Sequence, residues 1–423
     1  MHRCERKNRV RLRSIAPAGA PISSADLADW IGRVRAWPDA GDALRDVLRS
    51  RFGRAHYFLL STGRAAMTVL LRAMSRLAPA DRDEVVLPSY TCYSVAASTV
   101  KAGLKIRIVD IDPATLDYAP EALATTDFTR VLAIVATNLY GLPNALPALS
   151  RLARERGVFL VDDAAQAMSA SVGGRLSGTW GDAGLFSFDK GKNVCAIDGG
   201  VLTTRSDEMA AAIQAEMQAL SRTSATSTAV HVAKAFAYFS MLRPSVYGLA
   251  TLIPGLGLGK TNFTTEFPLA HPDDALSALA LRMMNSLDHF TSARRANAAA
   301  LLRGLASIPS IETIAPTPGS NPVFLRLPIL CRDEATKQHA IAALNTAGIG
   351  ASGSYPASLL DVPEVRASVV ARCEGAGGRR VARDLVTLPT HPFVTGTDIA
   401  RVVDTLANVG HASSVRCGSV DGS

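Results

Sequence analysis

The chain has 423 residues, 48% of them hydrophobic, with ordinary Gly and Pro content; it can bury one large core and a smaller one, and disordered and collagen-like classes are excluded. The formal charge is +8, but residues 1–13 hold six cations against Glu5, a net of +5, which leaves +3 on the other 410 residues. So balanced a body has no basic footprint for neutralising the phosphates of a nucleic acid.

In chain order, residues 1–27 read as a basic surface tail whose removal up to about residue 20 should spare catalysis. They lack the apolar run and small-residue cleavage site of a secretory signal. From residue 63 the pattern alternates: helical at 63–77, VVLP at 85–88, helical at 91–102, KIRIVD at 105–110, VLAIVAT at 131–137, helical at 145–156, VFLVDD at 158–163, GLFSF at 184–188 and VLTT at 201–204. Such alternation predicts an α/β fold whose mostly parallel sheet is covered by helices, with ligands at the carboxyl ends of the strands. After a helical stretch to about 221 and a Ser/Thr-rich break comes an apolar stretch at 229–259, and then a long helical pattern at 274–305. A second, smaller α/β region follows, with PVFLRLPIL at 322–330 and helices at 333–348 and 399–410. The expected division is a large domain at 28–290 with an insert at about 222–272, a small domain at 291–411 and a flexible tail at 412–423.

Sixteen uncharged residues, PSVYGLATLIPGLGLG, lie between Arg243 and Lys260. Prolines and glycines interrupt them too often for a membrane-spanning helix. They read as a buried loop or a hairpin on a partner subunit, the sharper alternative being contact of 229–259 with a membrane or a lipid-linked substrate. PGLGLGKT at 254–261 imitates the phosphate loop of an NTPase. Pro254 replaces its first glycine, no helix pattern follows, and the acidic strand VFLVDD precedes it, all of which argue against that reading.

The six cysteines (Cys4, Cys92, Cys195, Cys331, Cys373, Cys417) show neither CxxC nor zinc-ligand spacing, so reduced thiols in a cytoplasmic protein are expected and no metal site. A stronger constellation spans 61–200. Gly63 falls at the mouth of a helix, a natural anion site, with Arg64 beside it. Asp163 ends an apolar strand, where a helix cap is the ordinary role, but the Ala164–Ala165 pair after it lets a flat ring approach. FSFDKGKN at 186–193 carries two of only eight lysines in the chain, and lysine, unlike arginine, forms Schiff bases. Aspartate, lysine and a helix N-terminus with Ser187 are together the parts a pyridoxal phosphate site requires.

Residues 61–204, and more loosely 275–408, resemble the DegT/StrS-type family of pyridoxal-phosphate-dependent sugar aminotransferases, of fold-type I. The shared text is VVLPSYT with AGLKIRIVDID, LYGLP, VDDAAQA, GDAGLFSFDKGKN with its trailing DGG, SLDHFTSARRANAAALLRGL and LVTLPTHPFVT, in the family's order. The resemblance implies pyridoxal 5'-phosphate held by Lys192, with Lys190 as competitor, Asp163 at the ring nitrogen, Gln166 at the ring oxygen, and Gly63, Arg64 and Ser187 at the phosphate. Where the family has a stacking aromatic this chain has Cys92, so Tyr90 or Tyr93 must supply the ring or none does. The family's Asn-aromatic-Arg string, through which a second subunit reaches the phosphate, reads LAH at 269–271. The implied activity moves an amino group from a donor, glutamate, to a nucleotide-linked keto-deoxysugar in surface polysaccharide or natural-product biosynthesis, in a homodimer. A lipid-linked or other hydrophobic ketone is the alternative acceptor.

Overall fold

A computed structural model describes residues 13–250 and 263–417. PGLGLGKT at 254–261 therefore lies outside the described residues, as do residues 1–12 and 418–423 of the expected tails.

An eight-stranded sheet forms the centre. Its strands in chain order are β1 (His56–Leu60), β2 (Glu84–Pro88), β3 (Lys105–Val109), β4 (Val131–Ala136), β5 (Phe159–Asp163), β6 (Ala183–Ser187), β7 (Gly200–Thr204) and β8 (Val369–Ala371). In space they run β1-β7-β6-β5-β4-β2-β3-β8. Only β7 runs against its neighbours; β6, β5, β4, β2, β3 and β8 are parallel. Every residue of β2 and β4 is buried, which is why these strands read as unbroken apolar runs: a parallel sheet is covered on both faces. The mostly parallel sheet with helical layers is the α/β architecture expected.

Helix α3 (Gly63–Leu77) begins where β1 ends; its N-cap Thr62 accepts a hydrogen bond from the amide of Ala65 at 2.9 Å. Two earlier helices, α1 (Ser24–Gly32) and α2 (Ala40–Phe52), lie ahead of the first element that the sequence pattern predicts. Yet α2 buries Leu44, Leu48 and Phe52 at four-residue spacing, a periodicity that was there to read. The pattern at 274–305 is two helices, Asp274–Met284 and Leu287–Leu305. Only the second half of PVFLRLPIL is a strand, Leu327–Cys331. In the first half, the amides of Val323 and Leu325 donate to the carbonyls of Gly141 and Tyr140 instead. Leu327–Cys331 pairs with Ile311–Thr313 and Leu385–Leu388 in a separate antiparallel sheet, and the last helix, Gly396–Cys417, continues past residue 411 where a tail was expected.

Residues 13–22 correct the reading of the N-terminal segment. Arg13 pairs with the buried Asp398 at 2.6 Å. Ile15 is fully buried, its amide donating to the Gly348 carbonyl and its carbonyl accepting from Gly350, both at 2.8 Å. The His391 Nε2 sits 2.9 Å from the Ala16 carbonyl oxygen. This strap ties the two sheets' surroundings together, so a chain beginning at residue 20 should not be silent. Losing Ile15 and its hydrogen bonds is expected to cost about 3 kcal/mol or more, read as a lower melting temperature and lost activity; an unchanged melting curve would contradict it.

The apolar stretch is also not the expected loop or hairpin in its described part. It forms the helices Ala225–Met241, capped by the Ser224 hydroxyl, and Pro244–Ala250. No helix among the described residues is long and apolar enough to cross a membrane.

Candidate active site

The carboxyl ends of β2, β4, β5 and β6 and the first turn of α3 open onto one cavity of about 310 Å³. Gly63, Arg64, Asp163, Gln166, Ser187 and Lys192 all line it, as does Lys190. At its floor, a Cβ on Gly63 would stand 3.2 Å from the Ser187 hydroxyl, so the open amides of the α3 first turn and this hydroxyl form one small cradle. Gly200, paired with both Leu60 and Ser187, keeps it in place. A side chain there would collide with the Thr62 carbonyl oxygen and crowd the Gly63 amide, 2.9 Å away. Arg64 stands over the ring of Phe267 at 4.8 Å; Lys101 stands at the same distance and donates to the Thr265 carbonyl.

Two adjacent carboxylates at the end of β5 divide by strand alternation. Asp162 is a scaffold group, accepting from the Asn138 amide and from the backbone of Gly178 and Trp180. Asp163 faces the cavity, its Oδ1 accepting from the Ala165 amide at 2.9 Å. Burial pushes Asp163 up to about 6, opposed by the Ala165 hydrogen bond and by the nearby Lys192 ammonium. The two lysines differ in setting. Lys190 is exposed and reaches back to the Ile197 carbonyl and to Asp189, whereas Lys192 is half-buried and is the lysine whose charge Asp163 feels. The next side chain, Asn193, is buried with neither amide atom hydrogen-bonded.

Tyr90 and Tyr93 do not line the cavity. Both pack in the core against Tyr355. The Tyr90 hydroxyl lies 3.4 Å from that of Tyr140, and the Tyr93 hydroxyl donates to the Ala357 carbonyl at 3.0 Å while accepting from the Ala357 amide. Of the two alternatives, a stacking Tyr90 or Tyr93 or no stacking ring, this arrangement favours the second, since both hydroxyls are tied to the 355–357 segment. The wall there is Thr91, Cys92, Ser94 and Val95, and the Thr91 hydroxyl is buried without a partner. Gln166 is fixed from two segments: its Oε1 accepts from the Tyr140 amide at 3.0 Å and its Nε2 donates to the Tyr355 hydroxyl at 3.3 Å.

Sequence reasoning missed Thr91, Asp189 and Asp198 in the lining. Asp198 is pushed up to about 6 by burial and then by the charge of Asp189; the two lie in FSFDKGKN and its trailing DGG, but an acidic pair across a turn has no periodic signal. Leu269–His271, the string that departs from the family's pattern, runs beside the entrance to α3. The Ser61 amide donates to the Ala270 carbonyl at 3.1 Å and the His271 amide to the Ser221 carbonyl at 2.9 Å.

The residues fit pyridoxal phosphate: an anion cradle at one end, a buried carboxylate with an accessible edge at the other, an amine beside it and a partnerless hydroxyl on the wall. In comparison with known proteins, the sequence model of the DegT/DnrJ/EryC1/StrS aminotransferase family matches residues 39–407. A UDP-N-acetyl-3-dehydro-alpha-D-glucosamine 3-aminotransferase of Acidithiobacillus ferrooxidans is 32% identical over 170 residues, 40% of this chain and 45% of that protein. A dTDP-4-dehydro-2,3,6-trideoxy-D-glucose 4-aminotransferase of Saccharopolyspora spinosa is 25% identical over 351 residues, 82% of each chain. The match spans only 31 to 45% of the length of the first curated relatives. Among solved structures, DesI in the presence of its TDP-sugar product superposes with a TM-score of 0.76 over 97% of this chain and 96% of its own, at 22% identity, a likeness of fold.

Proposed function

Since this chain belongs to the DegT/DnrJ/EryC1/StrS aminotransferase family, we propose that it is a pyridoxal-phosphate-dependent aminotransferase that moves an amino group from glutamate to a keto-sugar carried on a nucleotide. The observation that carries this reading is the convergence of Lys192, Asp163 and the α3 first turn on one cavity at the carboxyl edge of the sheet. The relatives named for UDP- and dTDP-linked keto-sugars support the acceptor class.

Pyridoxal phosphate, when bound, supplies an aldehyde that condenses with amines and an electron-withdrawing ring. Lys192 would hold it, and its Nζ would serve as the base that takes the donor's α-proton. Asp163 would pair with the ring nitrogen and keep a proton there; Gln166, pinned by Tyr140 and Tyr355, would meet the ring oxygen. The Gly63 amide, the Ser187 hydroxyl and Arg64 would take the phosphate, a charge-assisted set at a helix N-terminus. A homodimer in the cytoplasm, in surface polysaccharide or natural-product biosynthesis, belongs to the same reading.

The test offers glutamate to the cofactor-loaded protein and then a panel of nucleotide-linked keto-sugars to the aminated form, following absorbance through both halves. A spectrum that glutamate leaves unchanged would sink the proposal; a response to glutamate without recovery by any sugar would remove the acceptor class alone. One structural prediction belongs to the phosphate cradle. Gly200→Ala should push the first turn of α3 off Ser187 and weaken cofactor affinity by about tenfold or more, since charge-assisted hydrogen bonds contribute about 1.5–3 kcal/mol each. Titration of cofactor into the apoprotein measures this, and wild-type affinity would show that the cradle is not the anchor.

A further inference from the structure

We propose that the outward face formed by the Ala225–Met241 and Pro244–Ala250 helices docks on a bilayer surface rich in anionic lipid. The inner face of the longer helix is fixed. The Thr228 hydroxyl and His231 Nδ1 meet Asp273 Oδ2 at 2.8 and 2.9 Å, Ala235 is fully buried, and the Tyr238 hydroxyl accepts from the Ala20 amide at 3.1 Å. The helix therefore cannot rotate to hide its other side. On that side Val230 and Phe236 are 51% and 44% exposed, and the next helix adds Val246 and Leu249, 36% and 52% exposed. These four are half of the large hydrophobic side chains exposed among the described residues. Ala229, Ala233 and Ala237, also exposed, fill the stripe between them at helical spacing.

Charge selects the occupant. From Glu216 to Glu266 the sequence contains no acidic residue, while Arg222, Lys234 and Arg243 stand exposed on or beside these helices. An apolar stripe on a segment that carries cations and no acid of its own, with Asp274 near only its Arg222 end, matches a surface that is apolar within and negative at its headgroups, where each nearby Lys or Arg adds attraction. The inner face of the same helix packs near the Lys192 loop, through Tyr238 against Cys195.

Flotation of the full chain with vesicles of phosphatidylcholine alone, and of phosphatidylcholine with a third phosphatidylglycerol, tests this at low and high salt. The wild type is expected to float with the anionic vesicles and to release at high salt. Phe236→Asp combined with Leu249→Asp is expected to lose that binding by about tenfold or more, with circular dichroism and the glutamate half-reaction unchanged because neither residue lines the cavity. Lys234→Glu with Arg243→Glu should lose the preference for anionic lipid. Wild-type protein that stays with the unbound fraction overturns the proposal. So does a wild-type dimer that binds no vesicle and is split by the aspartates in sedimentation, which would assign the face to a second copy of the chain.

Discussion

Lys192→Ala is expected to lower turnover by about 10⁴-fold or more, because it removes both the anchor for the cofactor and the base at the reacting carbon, and a well-placed base alone is worth about 10²- to 10⁴-fold. Lys192→Arg should do no better: a guanidinium stays protonated and cannot serve either role. Lys190→Ala is the control. Although it lines the cavity, its ammonium is held by the Ile197 carbonyl and Asp189 and is not the charge that Asp163 feels, so its loss should leave turnover within a few-fold of wild type. Borohydride reduction of the loaded protein followed by peptide mapping reads the same assignment independently of turnover, with the phosphopyridoxyl mass expected on Lys192. A label on Lys190, or an active Lys192→Ala protein, would reverse the roles of the two lysines. The substitution also has an effect on the apoprotein, since the Lys192 charge helps hold Asp163 down; without it the carboxyl should titrate higher still.

The central strands and the cavity residues were legible for related reasons. Buried parallel strands such as VLAIVA are apolar throughout, and each of Asp163, Ser187 and Lys192 follows such a run, at the strand end or in the turn beyond, where an α/β sheet gathers ligands. What failed was everything decided by tertiary partners. Tyr90 and Tyr93 are adjacent to the right loop, but their direction is set by backbone groups at 353–357, more than 260 residues away. Residues 13–22 look like the rest of a basic tail because only Ile15, Ala16, Gly19, Ala20 and Ile22 are buried in it, at spacings that show no period. The helix Ala225–Met241 buries a single side chain among its apolar residues, so its hydrophobic text suggested an interior it does not have.

Asp163→Asn should separate function from stability in opposite directions. Turnover is expected to fall by about 10²- to 10³-fold, the usual loss when one preorganised electrostatic partner of a reacting group is removed, because an amide cannot hold a proton on the ring nitrogen as a carboxylate does. The fold should not suffer, since Asn retains an oxygen for the Ala165 amide and the Asn138 bond goes to the backbone carbonyl of residue 163. In the cofactor-free protein the change should even stabilise. Asp163 is raised from 3.8 to about 6 by burial, so between those values the folded state binds the proton that the unfolded state has lost. Stability therefore declines as pH rises through this window, and above pH 6 the whole penalty, up to about 3 kcal/mol, is present. Asp163→Asn removes the charge and with it the penalty. The melting temperature of the apoprotein at pH 8 should rise, while at pH 4, where the native carboxyl is already protonated, the two proteins should melt together. A variant that melts lower at pH 8 would show the carboxylate to be a structural group in the apoprotein, and one with wild-type turnover would show that the ring nitrogen is not governed from Asp163.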